Sequence, residues 1–96
     1  MAIQNKRAHP RVPIYSPVHI SKPMPMEGTG INLGAGGVAL HVPVSVSEGS
    51  MVEVDFLATG APVSGTVRRT MPHADGGFLL GIEWHVTNRQ LVSRMA

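Results

Sequence analysis

The chain has 96 residues, no cysteine, 43% hydrophobic residues and a formal net charge of +2. This size allows one domain with a single modest core, and the apolar content is too high for a disordered chain. The lack of cysteine excludes disulfides and thiolate metal sites, and the mild positive charge does not favour duplex DNA binding. No apolar window is long enough for a transmembrane helix and the polar N-terminus is unlike a signal peptide, so we expect a cytoplasmic protein without membrane insertion.

The first predicted element is a basic arm, residues 1–11, which is polar enough that we expect it to be flexible. Its two arginines, Arg7 and Arg11, are four positions apart. Apolar residues then alternate with polar ones from Val12 onwards, which predicts a strand. Because two prolines interrupt this alternation, we predict an edge strand or a bulged strand.

A glycine-rich stretch, residues 32–37, follows between two predicted strands, residues 29–33 and 38–42. Glycine permits positive φ angles and a close approach of the backbone to a neighbour. Asn32 opens the stretch, and its side chain can bond the local backbone or present an amide to a ligand. The pattern of strand, glycine turn and strand predicts a hairpin.

Three more strands and a helix are predicted downstream, while residues 44–49 fit no single element. Residues 51–57, 63–67 and 78–84 alternate with a period of two, and the last of these places Trp84 in the core series. Asn88 is expected to cap a short C-terminal helix that covers one end of the sheet. We therefore predict an all-β fold, a small six-stranded antiparallel β-barrel with a short C-terminal helix, over residues 12–96.

Two motifs stand in order in this chain, Arg7-x-x-x-Arg11 and then Asn32-x-Gly34-x-x-Gly37. Together they resemble the paired motifs RxxxR and [D/N]xSxxG of a known family, the PilZ domains. Lys6 matches the basic residue that often precedes the first arginine, and residues 81–84 resemble the end of the last strand in that family. The resemblance extends from Lys6 to the terminal helix.

The resemblance implies a bacterial receptor for cyclic di-GMP, which carries two guanines and two phosphates and is often bound as an intercalated dimer. By position, the ligand-binding residues are Lys6, Arg7, Arg11, Asn32, Gly34, Gly36 and Gly37. Guanidinium groups suit this role because their planar fork of donors fits phosphates and guanine edges. We expect no cofactor besides this ligand, no catalytic activity, and a signal in which the arm becomes ordered over the nucleotide and changes a surface for an unidentified downstream protein.

Gly34 departs from the motif, which has a serine at this position. A neutral hydrogen bond contributes about 0.5–1.5 kcal/mol, whereas a bidentate arginine contact contributes about 1–3 kcal/mol. We therefore expect weakened rather than abolished binding, and we predict that Gly34→Ser restores affinity.

The same residues leave other interpretations open. The main alternative is a PilZ-like adaptor that works through protein contacts with weak or no nucleotide binding, which Gly34 favours and the arginine pair opposes. The chain has too few aromatic residues for single-stranded RNA binding, its five histidines lack metal-ligand spacing, and it has no recognisable nucleophile motif. Arg68 and Arg69 are expected to face solvent, with a phosphate contact as the open alternative.

Overall fold

The computed structural model describes residues 10–95, which form six strands and one helix. The elements are β1 (Val12–Lys22), β2 (Met26–Gly34), β3 (Gly37–Val42), β4 (Met51–Phe56), β5 (Ala61–Pro72), β6 (Phe78–Trp84) and α1 (Arg89–Met95). Every pairing is antiparallel, and the order around the closed barrel is β1-β2-β3-β6-β5-β4. The predicted six-stranded barrel with a C-terminal helix is confirmed. The predicted flexible arm falls mainly on residues 1–9, which lie outside the described residues.

The barrel interior is filled by the side chains on one face of each strand. Trp84 is 5% exposed and meets Phe56 edge-on, with ring centroids 6.2 Å apart, so its predicted place in the core is confirmed. Burial of this apolar surface is the main stabilising contribution to the fold. The largest fully buried side chains are Val18, Ile20, Leu33, Val38, Leu40, Val42, Val52, Val54, Phe56, Val67, Leu80 and Ile82.

Two strands extend beyond their predicted bounds, and one undecided segment is settled by the structure. β2 begins at Met26, where it pairs with Ile20 of β1, and β5 continues to Pro72, where it pairs with Phe78 of β6. Both strands are longer than predicted because their neighbours supply ladder partners beyond the clear alternation. The undecided residues 44–49 form a loop rather than a strand, and Val46 anchors this loop in the core.

β-bulges interrupt several ladders. In β1 the register shifts between Pro13 and Ser16, and Tyr15 adopts a φ of 45°. β1 is therefore bulged as predicted, but it is not an edge strand, because it pairs with both β2 and β4. In β5 the register shifts between Val67 and Arg69, so the consecutive residues Arg68 and Arg69 are both exposed.

The C-terminal helix closes one end of the core. Asn88 precedes α1, and its Oδ1 accepts a hydrogen bond from the backbone N–H of Leu91 at 3.0 Å, which confirms the predicted cap. Leu91 is buried, while Val92 and Met95 pack against the core from the same helix. Within residues 10–95, no helix is long and apolar enough to cross a membrane.

Candidate functional site

The outer face of four adjacent strands carries two rows of paired residues. The first row runs Asn32, Ala39, Gly81, Arg69 across β2, β3, β6 and β5, and the second runs Gly34, Gly37, Glu83, Thr66. Between them lies the buried row of Leu33, Val38, Ile82 and Val67. Because side chains alternate between the two faces of a strand, the two flanking rows face outwards. On the two central strands, β3 and β6, the outward rows consist of Gly37, Ala39, Gly81 and Glu83. Three of these four are glycine or alanine, so few side-chain atoms project from the middle of this face.

A cleft of about 590 Å³ lies over this floor, within the usual range for small-molecule sites. Among the described residues, three arginines and one carboxylate make its lining cationic. Such a cleft suits an anionic ligand that has a flat apolar part. The lining includes Arg11, Asn32, Gly36, Gly37, Ala39, Arg68, Arg69, Met71, Leu79, Gly81, Glu83 and Thr87.

Arg11 and Asn32 meet at one side of the cleft. Nη1 of Arg11 donates a hydrogen bond to Oδ1 of Asn32 at 2.8 Å, and the contact is partly buried. The structure thus joins one residue from each of the two motifs that the sequence places in a common site. Lys6 and Arg7, the other predicted cationic contacts, lie outside the described residues.

The glycines of residues 32–37 serve close approach rather than unusual backbone angles. In the described part of the chain, the glycines with positive φ are Gly49, Gly60, Gly76 and Gly77, none of which lies in this stretch. A Cβ on Gly37 would overlap the carbonyl oxygen of Ile82 on the neighbouring strand. The positive φ angles that glycine permits are therefore not used in this stretch, whereas a close approach of the backbone to a neighbouring strand is present.

Gly34 lies beneath Arg11 rather than in the lining of the cleft. A Cβ at this position would be 2.9 Å from Cδ of Arg11 and 2.9 Å from the carbonyl oxygen of Pro10. Contacts this short require one partner to move. The prediction that Gly34→Ser simply restores a ligand contact therefore conflicts with the packing, because the added atoms would displace Arg11.

The opposite side of the cleft is formed by β5 and β6. Arg68 and Arg69 are exposed as expected, and they also line the cleft. Nε of Arg68 donates to Oε1 of Glu83 at 2.6 Å. The sequence did not identify Glu83 as a residue of this cleft. The alternation along β6 shows that its side chain faces outwards, but it does not show that β6 lies beside β3.

The histidines do not form a metal site in the described part of the chain. His41 and His73 have ring centroids 4.5 Å apart, and Nε2 of His41 bonds the carbonyl oxygen of Gly76 at 2.7 Å. Within residues 10–95, no group of three or more His, Asp or Glu side chains is arranged to hold a metal ion.

Comparison with known proteins agrees with this architecture. Residues 5–95 match the PilZ domain family. Among solved structures, the Bacillus subtilis inhibitor of motility (MotI/DgrA) is similar, with a TM-score of 0.77, 17% sequence identity, and coverage of 97% of this chain and 48% of the other. The chain thus spans about half the length of that protein, and at this identity the likeness shows the fold alone. No curated protein sequence matches the chain.

Proposed function

Because the chain belongs to the PilZ domain family, we propose that it is a receptor for cyclic di-GMP. The observation that carries this proposal is the Arg11–Asn32 hydrogen bond of 2.8 Å at the side of a cationic cleft. PilZ domains are binding modules, so the proposed activity is recognition of the nucleotide without chemical change.

Each side of the cleft supplies a different part of the recognition. The guanidinium of Arg11 offers a planar fork for a phosphate or for the O6 and N7 acceptors of guanine. Asn32 uses Oδ1 to accept from Arg11, which leaves its amide N–H groups to donate to the ligand. Arg69 lies three strand spacings away from Asn32, about 14 Å, and so reaches a second anionic group that a mononucleotide lacks.

The small residues of the floor allow the flat bases to approach the sheet. Ala39 and Gly81 lie between Asn32 and Arg69 and present almost no side chain above the backbone. We expect Lys6 and Arg7 to add cationic contacts to the bound nucleotide and so to change the surface offered to a downstream protein. An intercalated dimer of the ligand would bring its phosphates near both sides of the cleft.

Titration calorimetry with cyclic di-GMP tests the proposal. We expect the wild-type chain to bind cyclic di-GMP more tightly than GMP. Arg11→Ala should weaken binding by about 1–3 kcal/mol, the usual contribution of a bidentate contact. Arg94→Ala, in the last turn of α1, is the matched control and should leave affinity unchanged. Absence of binding by the wild-type chain would contradict the proposal.

The second candidate function is a protein adaptor with weak or no nucleotide binding. Gly34 favours it, because the motif hydroxyl is missing and Arg11 fills that space. The two functions differ in what Arg11→Ala does: a nucleotide-independent adaptor keeps its partner affinity in that variant, with and without cyclic di-GMP.

A further inference from the structure

Within residues 10–95, one carboxylate lies among the arginines of the cleft. Glu83 is on the outward face of β6, paired with Gly37 of β3 on one side and Thr66 of β5 on the other. Its side chain is 58% exposed. A carboxylate repels phosphate, so Glu83 does not contribute to phosphate binding. It is an acceptor of hydrogen bonds, and the Watson–Crick edge of guanine carries the N1–H and N2–H donors that match it.

We propose that Glu83 determines the base specificity of the cleft by accepting hydrogen bonds from N1–H and N2–H of a guanine in the ligand. This inference rests on the proposed function, since it concerns the same cleft. Adenine has a lone pair at N1 and lacks the N2 amino group. Its corresponding edge would therefore face the carboxylate without donors at these two positions.

Arg68 acts as a positioning residue for this carboxylate. Its Nε donates to Oε1 of Glu83 at 2.6 Å, and the side chain is 65% exposed. An exposed ion pair of this kind adds little to stability. It does orient the carboxylate, while Oε2 and the remaining lone pair of Oε1 stay available to a base. The bulge in β5 brings Arg68 to this face.

The two sides of the cleft complement the two edges of guanine. Arg11 and the amide N–H groups of Asn32 supply donors on the β2 side, and Glu83 supplies acceptors on β6. These strands are separated by two strand spacings, about 10 Å, with Gly37 and Ala39 of β3 between them. A guanine placed there presents O6 and N7 to the donors and its N–H groups to the carboxylate.

The test is calorimetry with cyclic di-GMP and cyclic di-AMP on the wild-type chain and on Glu83→Gln. We expect the wild-type chain to prefer cyclic di-GMP by about tenfold or more, and Glu83→Gln to lose most of that preference. Glu48→Gln, on an exposed loop outside the cleft, is the matched control and should keep it. Circular dichroism of each variant checks that the barrel is folded.

Arg68→Ala separates positioning from simple charge. As a positioning residue, Arg68 affects mainly the ratio of the two affinities, whereas loss of a general cation weakens both ligands equally. A Glu83→Gln variant that binds cyclic di-GMP and retains the wild-type preference overturns this inference and leaves the proposed function standing. A wild-type chain that binds neither dinucleotide contradicts the proposed function itself and this inference with it.

Discussion

At the scale of single residues, Gly34 is the position where this chain departs from the family motif, which has a serine there, and where the surrounding atoms leave little room for a side chain. Its missing side chain leaves room for Cδ of Arg11 and for the carbonyl oxygen of Pro10. Arg11 lies against β2 there and reaches Asn32 at 2.8 Å. The glycine therefore removes one hydroxyl from the site but allows the arginine to pack closely beside its partner.

Gly34→Ser is expected to weaken cyclic di-GMP binding several-fold. Displacing Arg11 loses part of a contact of about 1–3 kcal/mol, and the new hydroxyl returns about 0.5–1.5 kcal/mol. Calorimetry of Gly34→Ser beside Gly34→Ala isolates the hydroxyl, since both variants add the same Cβ. Tighter binding by the serine variant than by the wild-type chain would show that Arg11 moves without cost.

At the scale of elements, the pairing of β3 with β6 creates the floor of the cleft. In this pairing Ala39 lies opposite Gly81 and Gly37 lies opposite Glu83. The glycine-rich stretch is thereby brought beside residues more than 40 positions later in the sequence. The bulge in β5 then turns two consecutive arginines towards the same face. The site thus depends on register between strands as much as on the identity of its residues.

Gly37→Ala is expected to destabilise the barrel by about 1–3 kcal/mol, the usual effect of overpacking. Its new methyl would overlap the carbonyl oxygen of Ile82 and push β3 away from β6. Gly81→Ala is the control, because its Cβ would meet Cβ of Arg69 at an ordinary 3.5 Å. Urea unfolding followed by circular dichroism measures both, and equal midpoints would contradict the close approach at Gly37.

At the scale of the whole molecule, closure of the barrel depends on β4 meeting β1. Phe56 lies at this seam, paired with Val18 of β1 and with Ala61 of β5, and its side chain is fully buried. A domain of this size has a free energy of unfolding of about 5–15 kcal/mol. A single large side chain at the seam therefore contributes much of the stability on which the cleft depends.

Phe56→Ala should lower the free energy of unfolding by about 3–5 kcal/mol through the cavity it leaves. Leu57→Ala removes a neighbouring apolar side chain that is 53% exposed, so its effect should be much smaller. Urea unfolding of the two variants provides the comparison. A similar decrease in the free energy of unfolding for both variants would contradict the large contribution expected of Phe56.

The sequence alone determined the strand count, the inward residues and the capped helix. Alternation along residues 51–56 and 78–84 is local, because burial of one strand face selects apolar residues at every second position. The cap at Asn88 is equally local, since the side chain bonds a backbone group three residues away. The two motifs also predicted that Arg11 and Asn32 lie close together, and a 2.8 Å hydrogen bond joins their side chains.

Only the tertiary structure decided which outward residues share the cleft. Alternation shows which face of a strand is buried but not which strand lies beside it, so Glu83 could not be placed near Gly37 before β6 was paired with β3. Bulges shift register by one residue, and this shift turned Arg68 and Arg69 to the same face. The close packing around Gly34 and Gly37 likewise arises between segments distant in sequence, so no local sequence pattern predicts it.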